Sequence, residues 1–69
     1  MNMIPTDSAA IHSYGYDPNT NTLVVKFHHG GVYHYAGVSQ AEYEHFHASP
    51  SKGSHIHKHI KSKHEGVKQ

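Results

Sequence analysis

The sequence predicts an α+β domain, a three-stranded antiparallel meander followed by two short helices packed on one face of the sheet. Three observations predict it. Leu23, Val25 and Phe27 alternate with Val24, Lys26 and His28, the period of a half-buried strand. Turn formers flank that run, with Asp17-Pro18-Asn19-Thr20-Asn21 before it and His29-Gly30-Gly31 after it. Ser39 and Glu42 stand three apart, with Val38 and Tyr43 outside them, which is the pattern of a capping box and hydrophobic staple at a helix start.

In chain order, Ile11 to Tyr16 reads as the first strand, with Tyr14 and Tyr16 on one face. Thr22 to His28 is the second and Val32 to Ala36 the third. A three-residue loop pairing His28 with Val32 sets Phe27 opposite Tyr33 and Val25 opposite Tyr35, so the bulky residues share a face and a glycine takes the left-handed loop position. A two-residue Gly30-Gly31 loop would set Phe27 against His34 and split them. The first helix is expected from about Gln40 to His47, with Tyr43 and Phe46 facing the sheet, until Ser49-Pro50-Ser51 interrupts it. A second helix, capped by Ser51 or Ser54, runs to about His64 on an apolar stripe of Ile56 and Ile60, with His57, Lys61 and His64 on a more exposed face. Residues 8–64 form the single domain, with 1–7 and 65–69 as flexible termini. The second sheet face, with Val24, Lys26, His28, Val32 and His34, is left for solvent or a partner subunit.

A chain of 69 residues makes one domain whose core is thin, because a protein of this size buries only about 60% of the surface its unfolded form exposes. With no cysteine, disulfides are excluded as staples, while a metal or self-association stays open. The longest aliphatic run is Leu23-Val24-Val25, far short of a membrane helix. Met1 to Pro5 shows no signal-peptide pattern, and a cytoplasmic protein is expected. All six basic residues are lysine; a sequence-reading nucleic-acid binder normally uses arginine forks. The net charge is only +1, but Lys52, Lys58, Lys61, Lys63 and Lys68 make the carboxy-terminal third basic. Ten scattered histidines make the charge strongly pH-dependent.

The layout resembles the KTSC domain, named for the carboxy terminus of some lysyl-tRNA synthetases. Tyr16-Asp17, Leu23-x-Val25-x-Phe27, Gly30, Tyr33-His34-Tyr35, Val38, Tyr43, Ser51-Lys52-Gly53 and Ile60-Lys61 carry the resemblance in order, over roughly residues 8–64. Where relatives show an aromatic pair after Ser-Lys-Gly, this chain has His55-Ile56, and its histidine excess is its own. The resemblance implies the α+β fold and a free-standing bacterial or phage protein, with RNA binding suggested by the synthetase association.

Several constellations bear on function. Tyr33 and Tyr35 read either as a stacking platform or as core beside Val25 and Phe27. Ser51-Lys52-Gly53 ahead of a helix suits an anion through free backbone N–H groups and the Lys52 charge, or is plain capping; it lacks the long glycine-rich loop of a Walker motif. His55 and His59 form a chelating pair at helical spacing, and His28, His29 and His34 gather near the hairpin. No zinc signature is complete, so no metal or other cofactor is expected. Asp17, Glu42 and Glu44 have structural explanations, and no catalytic set emerges. The expected function is a non-catalytic binding module for a small phosphate-bearing, nucleotide-like ligand, sequestered or sensed in a phage or bacterial setting. Tyr33, Tyr35, Ser51, Lys52, Gly53, His57 and Lys61 are its candidate site, which a homo-oligomer would build across subunits. The alternatives are RNA binding by the basic second helix and a structural, partner-docking role.

Overall fold

The computed structural model describes residues 2–69. Five strands pair in sequence order, every neighbour antiparallel: β1 (Ile4–Pro5), β2 (Ile11–Asp17), β3 (Thr22–Phe27), β4 (Gly31–Tyr35) and β5 (Gly66–Lys68). Between β4 and β5 lie α1 (Gln40–Ala48) and α2 (Lys52–His55), the latter running directly into a π-helical turn, Ile56–Ile60. The sheet therefore has two strands more than expected, both from segments set aside as flexible termini. Each is short and pairs onto a strand already in place, so neither needs a hydrophobic alternation of its own.

β2 carries a bulge. Ile11 lies opposite Phe27 but Ser13 lies opposite Lys26, leaving His12 as the extra residue. The bulge turns Ile11 onto the same face as Tyr14, and both are buried. At the β2–β3 turn the Asp17 carboxylate accepts the Asn19 N–H (3.0 Å), and Asn21 takes the left-handed conformation (φ 51°) that asparagine tolerates.

The β3–β4 loop has three residues, as expected, but they are His28, His29 and Gly30. The closing pair is Phe27 with Gly31, so Val25 faces Tyr33 and Leu23 faces Tyr35. This corrects the His28–Val32 pairing. The His28 N–H is committed to the Ala10 carbonyl (3.0 Å), and Gly31, at φ 80°, is left-handed as the residue that closes the strand pair rather than inside the loop. Because the pairing slips by two, every side chain keeps its expected face.

α1 starts on the full capping box. The Glu42 N–H donates to the Ser39 hydroxyl (3.1 Å), and the Glu42 carboxylate accepts the Ser39 N–H (3.1 Å). The second helical stretch ends at Ile60 rather than near His64. The Lys61 N–H reaches the Ile56 carbonyl (2.8 Å), which defines the π turn. Ile56 and Ile60 are both buried, joining Phe46 of α1 against Tyr14, Leu23, Val25 and Tyr35 of the sheet. One sheet face thus holds the core; on the other, Val24 is buried, Val32 and His34 half-buried and Lys26 exposed. Among the described residues no helix is long and apolar enough to cross a membrane.

Candidate ligand site

A groove of about 850 Å³ runs between the stretch before β2 and the α1–α2 junction. Short hydroxyl bonds pin its first wall. The Thr6 hydroxyl donates to the Ile11 carbonyl (2.9 Å) and accepts the Ser8 N–H (2.9 Å), while the Ser8 hydroxyl accepts the N–H groups of Ala10 (3.2 Å) and Ile11 (3.3 Å). The second wall is Ser49 to Gly53. There the Ser49 hydroxyl accepts the Ser51 N–H (3.2 Å), and Ser51 stands at the helix start without capping it. Among the described residues, the N–H groups of Lys52, Gly53 and Ser54 meet no protein acceptor. The Lys52 ammonium donates to the Ser49 carbonyl (3.0 Å) and sits 5.9 Å from the Tyr14 ring centre, which fixes a positive charge at the groove with donors to spare. A Cβ at Gly53 would lie 3.4 Å from the Ala10 Cβ and 3.5 Å from the Ser8 hydroxyl, an ordinary contact with the facing wall rather than a clash. His57 and Lys58 add basic groups to the lining and Asp7 one acid.

A second hollow, of about 400 Å³, shares the lining residue Ala10 with the first. Its walls are Phe27, Tyr33 and Tyr35, with His29 and Lys61 also contributing. The Tyr33 ring meets Phe27 edge-on (5.6 Å, 84°) and lies 6.4 Å from Tyr35 at 23°. Tyr35 is buried, and burial, then the neighbouring Tyr33, raises its hydroxyl above the usual tyrosine value. Tyr35 is therefore a core residue, and half-exposed Tyr33 and Phe27 are the faces open to a ligand. The seven candidate residues thus divide: Ser51, Lys52, Gly53 and His57 line the groove, and Tyr33, Tyr35 and Lys61 the hollow. Phe27 was legible by its alternation with the core strand. Thr6 to Ala10 carry no periodic pattern and gave no signal.

A family model described as the KTSC domain matches residues 7–64. The chain belongs to the KTSC family. It is 34% identical to a KTSC domain protein from Yersinia pestis whose crystal structure superposes with a TM-score of 0.94, covering 99% of this chain and 96% of that one. It is also similar to lysine–tRNA ligases of a Nostoc species (36% identity over 59 residues) and of Nostoc punctiforme (34% over 61). These matches cover 86% and 88% of this chain but 10% and 11% of the ligases, so the KTSC domain spans about a tenth of those relatives.

The histidines of this KTSC domain fall into separate settings. His55 and His59 lie side by side on the second helical stretch, ring centres 4.8 Å apart and tilted by 45°, with His55 also 5.8 Å from Phe46. His45 and Glu42 of α1 and Lys63 line the small hollow beside them. Near the hairpin His28 contacts His12 (5.4 Å) and His29 (6.4 Å), while His34 pairs with Val24 and Val67 within the sheet. Among the described residues no group of three or more His, Asp or Glu is placed to hold a metal. His64, expected on the exposed face, instead folds inward, and its Nε2 meets the Glu42 carboxylate at 2.8 Å. The helix ending at Ile60 lets the chain turn back and carry His64 there.

Two of these groups couple stability to pH. Burial, followed by His59 and His45, pushes His55 below the ordinary 6.5, so the folded state holds fewer protons than the unfolded one as pH drops below that value. The His64 hydrogen bond, then the Ser39 N–H, holds Glu42 below 4.5, which removes stability in the same direction at lower pH. Urea denaturation followed from neutral to acid pH should show stability falling first below about 6.5 and again below about 4.5. His55→Gln should abolish the first step, and a profile flat through it would contradict the assignment.

Proposed function

We propose that this KTSC domain is a non-catalytic binding module for a small phosphate-bearing ligand, held in the groove at the start of α2. The observation that carries this reading is the set of three unpaired N–H groups, of Lys52, Gly53 and Ser54, beside an ammonium fixed at the same place. Backbone N–H groups and a lysine give a phosphate charge-assisted bonds from several directions, and each such bond is worth about 1.5–3 kcal/mol. His57 and Lys58 reinforce the positive side, and Asp7 limits how much negative charge the groove accepts. With a net charge of +1, a compact ligand suits the chain better than a long polyanion.

Titration calorimetry with adenosine 5′-monophosphate tests the reading. Lys52→Ala is expected to weaken binding by about tenfold or more, the loss of one charge-assisted bond. Binding unchanged by that substitution would place the site elsewhere. RNA binding is the second reading, favoured by exposed His57, Lys58, Lys61 and Lys63 along the second helical stretch and its turn, and by the named role of the ligase relatives. It predicts affinity for single-stranded RNA that falls steeply with salt and survives Lys52→Ala.

A further inference from the structure

We infer that the aromatic hollow beside the groove is a ring subsite, so that the ligand is a nucleotide with its base against Tyr33 and Phe27 and its phosphate at Lys52. This rests on the groove reading above and adds the chemical class of the ligand to it. Three observations carry it. The two hollows share one lining residue, Ala10, whose side chain is small. The hollow's walls are aromatic, and Phe27 and Tyr33, which pack against the edge of the core, are only partly buried and keep ring surface open to it. Lys52 lines the groove and Lys61 the hollow, so a single ligand crossing Ala10 meets a lysine at each end. A flat heteroaromatic ring fits such a place because it buries the open aromatic faces while its polar edge reaches Lys61 and His29.

The test compares adenosine 5′-monophosphate with ribose 5-phosphate, which lacks the base. The wild-type protein should bind the nucleotide about tenfold more tightly, the usual worth of one stacked base. Tyr33→Ala should reduce the nucleotide to the affinity of ribose 5-phosphate and leave ribose 5-phosphate itself unchanged. Phe27→Leu keeps the apolar volume and removes the ring face, so it should give the same result should Tyr33→Ala fail to fold. Equal binding of the two probes by the wild type, with both lost in Lys52→Ala, would overturn the ring subsite and leave the groove standing. A nucleotide preference untouched by both aromatic substitutions would also overturn it. Failure of both probes to bind would remove the groove reading and the ring subsite together.

Discussion

Phe46→Ala is expected to cost about 3–5 kcal/mol, the usual loss when a fully buried phenylalanine is truncated. Phe46 has no exposed surface, and its ring meets Tyr14 edge-on at 4.9 Å and His55 at 5.8 Å. It is the buried side chain of α1, so it joins that helix both to the sheet and to the second helical stretch. Natural domains keep only about 0.05–0.15 kcal/mol per residue, on the order of 3–10 kcal/mol for this length. The substitution therefore removes most of the available stability. Urea denaturation by circular dichroism should show a largely unfolded protein or a midpoint shifted far down. A midpoint close to that of the wild type would contradict the packing described.

Gly66→Val is expected to release β5 from the sheet. A Cβ at Gly66 would come 2.5 Å from Cε1 and 2.9 Å from Cζ of Tyr35, closer than atoms approach. The ring cannot yield, because Tyr35 is buried among Leu23, Val25 and Val38. The strand must then move and lose its pairing with Tyr33, His34 and Tyr35, together with the bond from the Gln69 N–H to the Val32 carbonyl (2.7 Å). Overpacking of this kind costs about 1–3 kcal/mol. Hydrogen exchange should show the Gln69 amide losing its protection while the β3 amides keep theirs. Gly53→Ala is the contrasting control, since a Cβ there meets only ordinary contacts. Protection retained at Gln69 in Gly66→Val would show that β5 does not depend on this close approach.

The parts of the fold that were legible are those written in local chemistry. The Ser39–Glu42 box, the alternation of β3 and the Ile56–Ile60 pair each express a short-range rule, and each appears where it was read. The parts that were not legible depend on distant partners. Gly66-Val67-Lys68 has no pattern of its own and becomes a strand because its glycine fits over Tyr35 and Val67 pairs with His34. The bulge at His12 and the slipped hairpin register come from bonds between segments, such as that from His28 to Ala10. The site divides in the same way. Lys52 and its neighbours stand out because a glycine and a lysine open a helix, whereas the facing wall is visible only once Thr6 and Ser8 fold their hydroxyls onto the backbone. Tyr33 and Tyr35, alike in sequence, differ because one points to the mouth of a hollow and the other into the core.

The most direct measurement is an amide NMR titration of the protein with adenosine 5′-monophosphate. Saturable shifts are expected to be largest at the N–H groups of Lys52, Gly53 and Ser54, the three donors that the fold leaves unpaired at the groove. If those amides stay still while the nucleotide is added, and move no more than the rest of the chain, the small-ligand reading is contradicted.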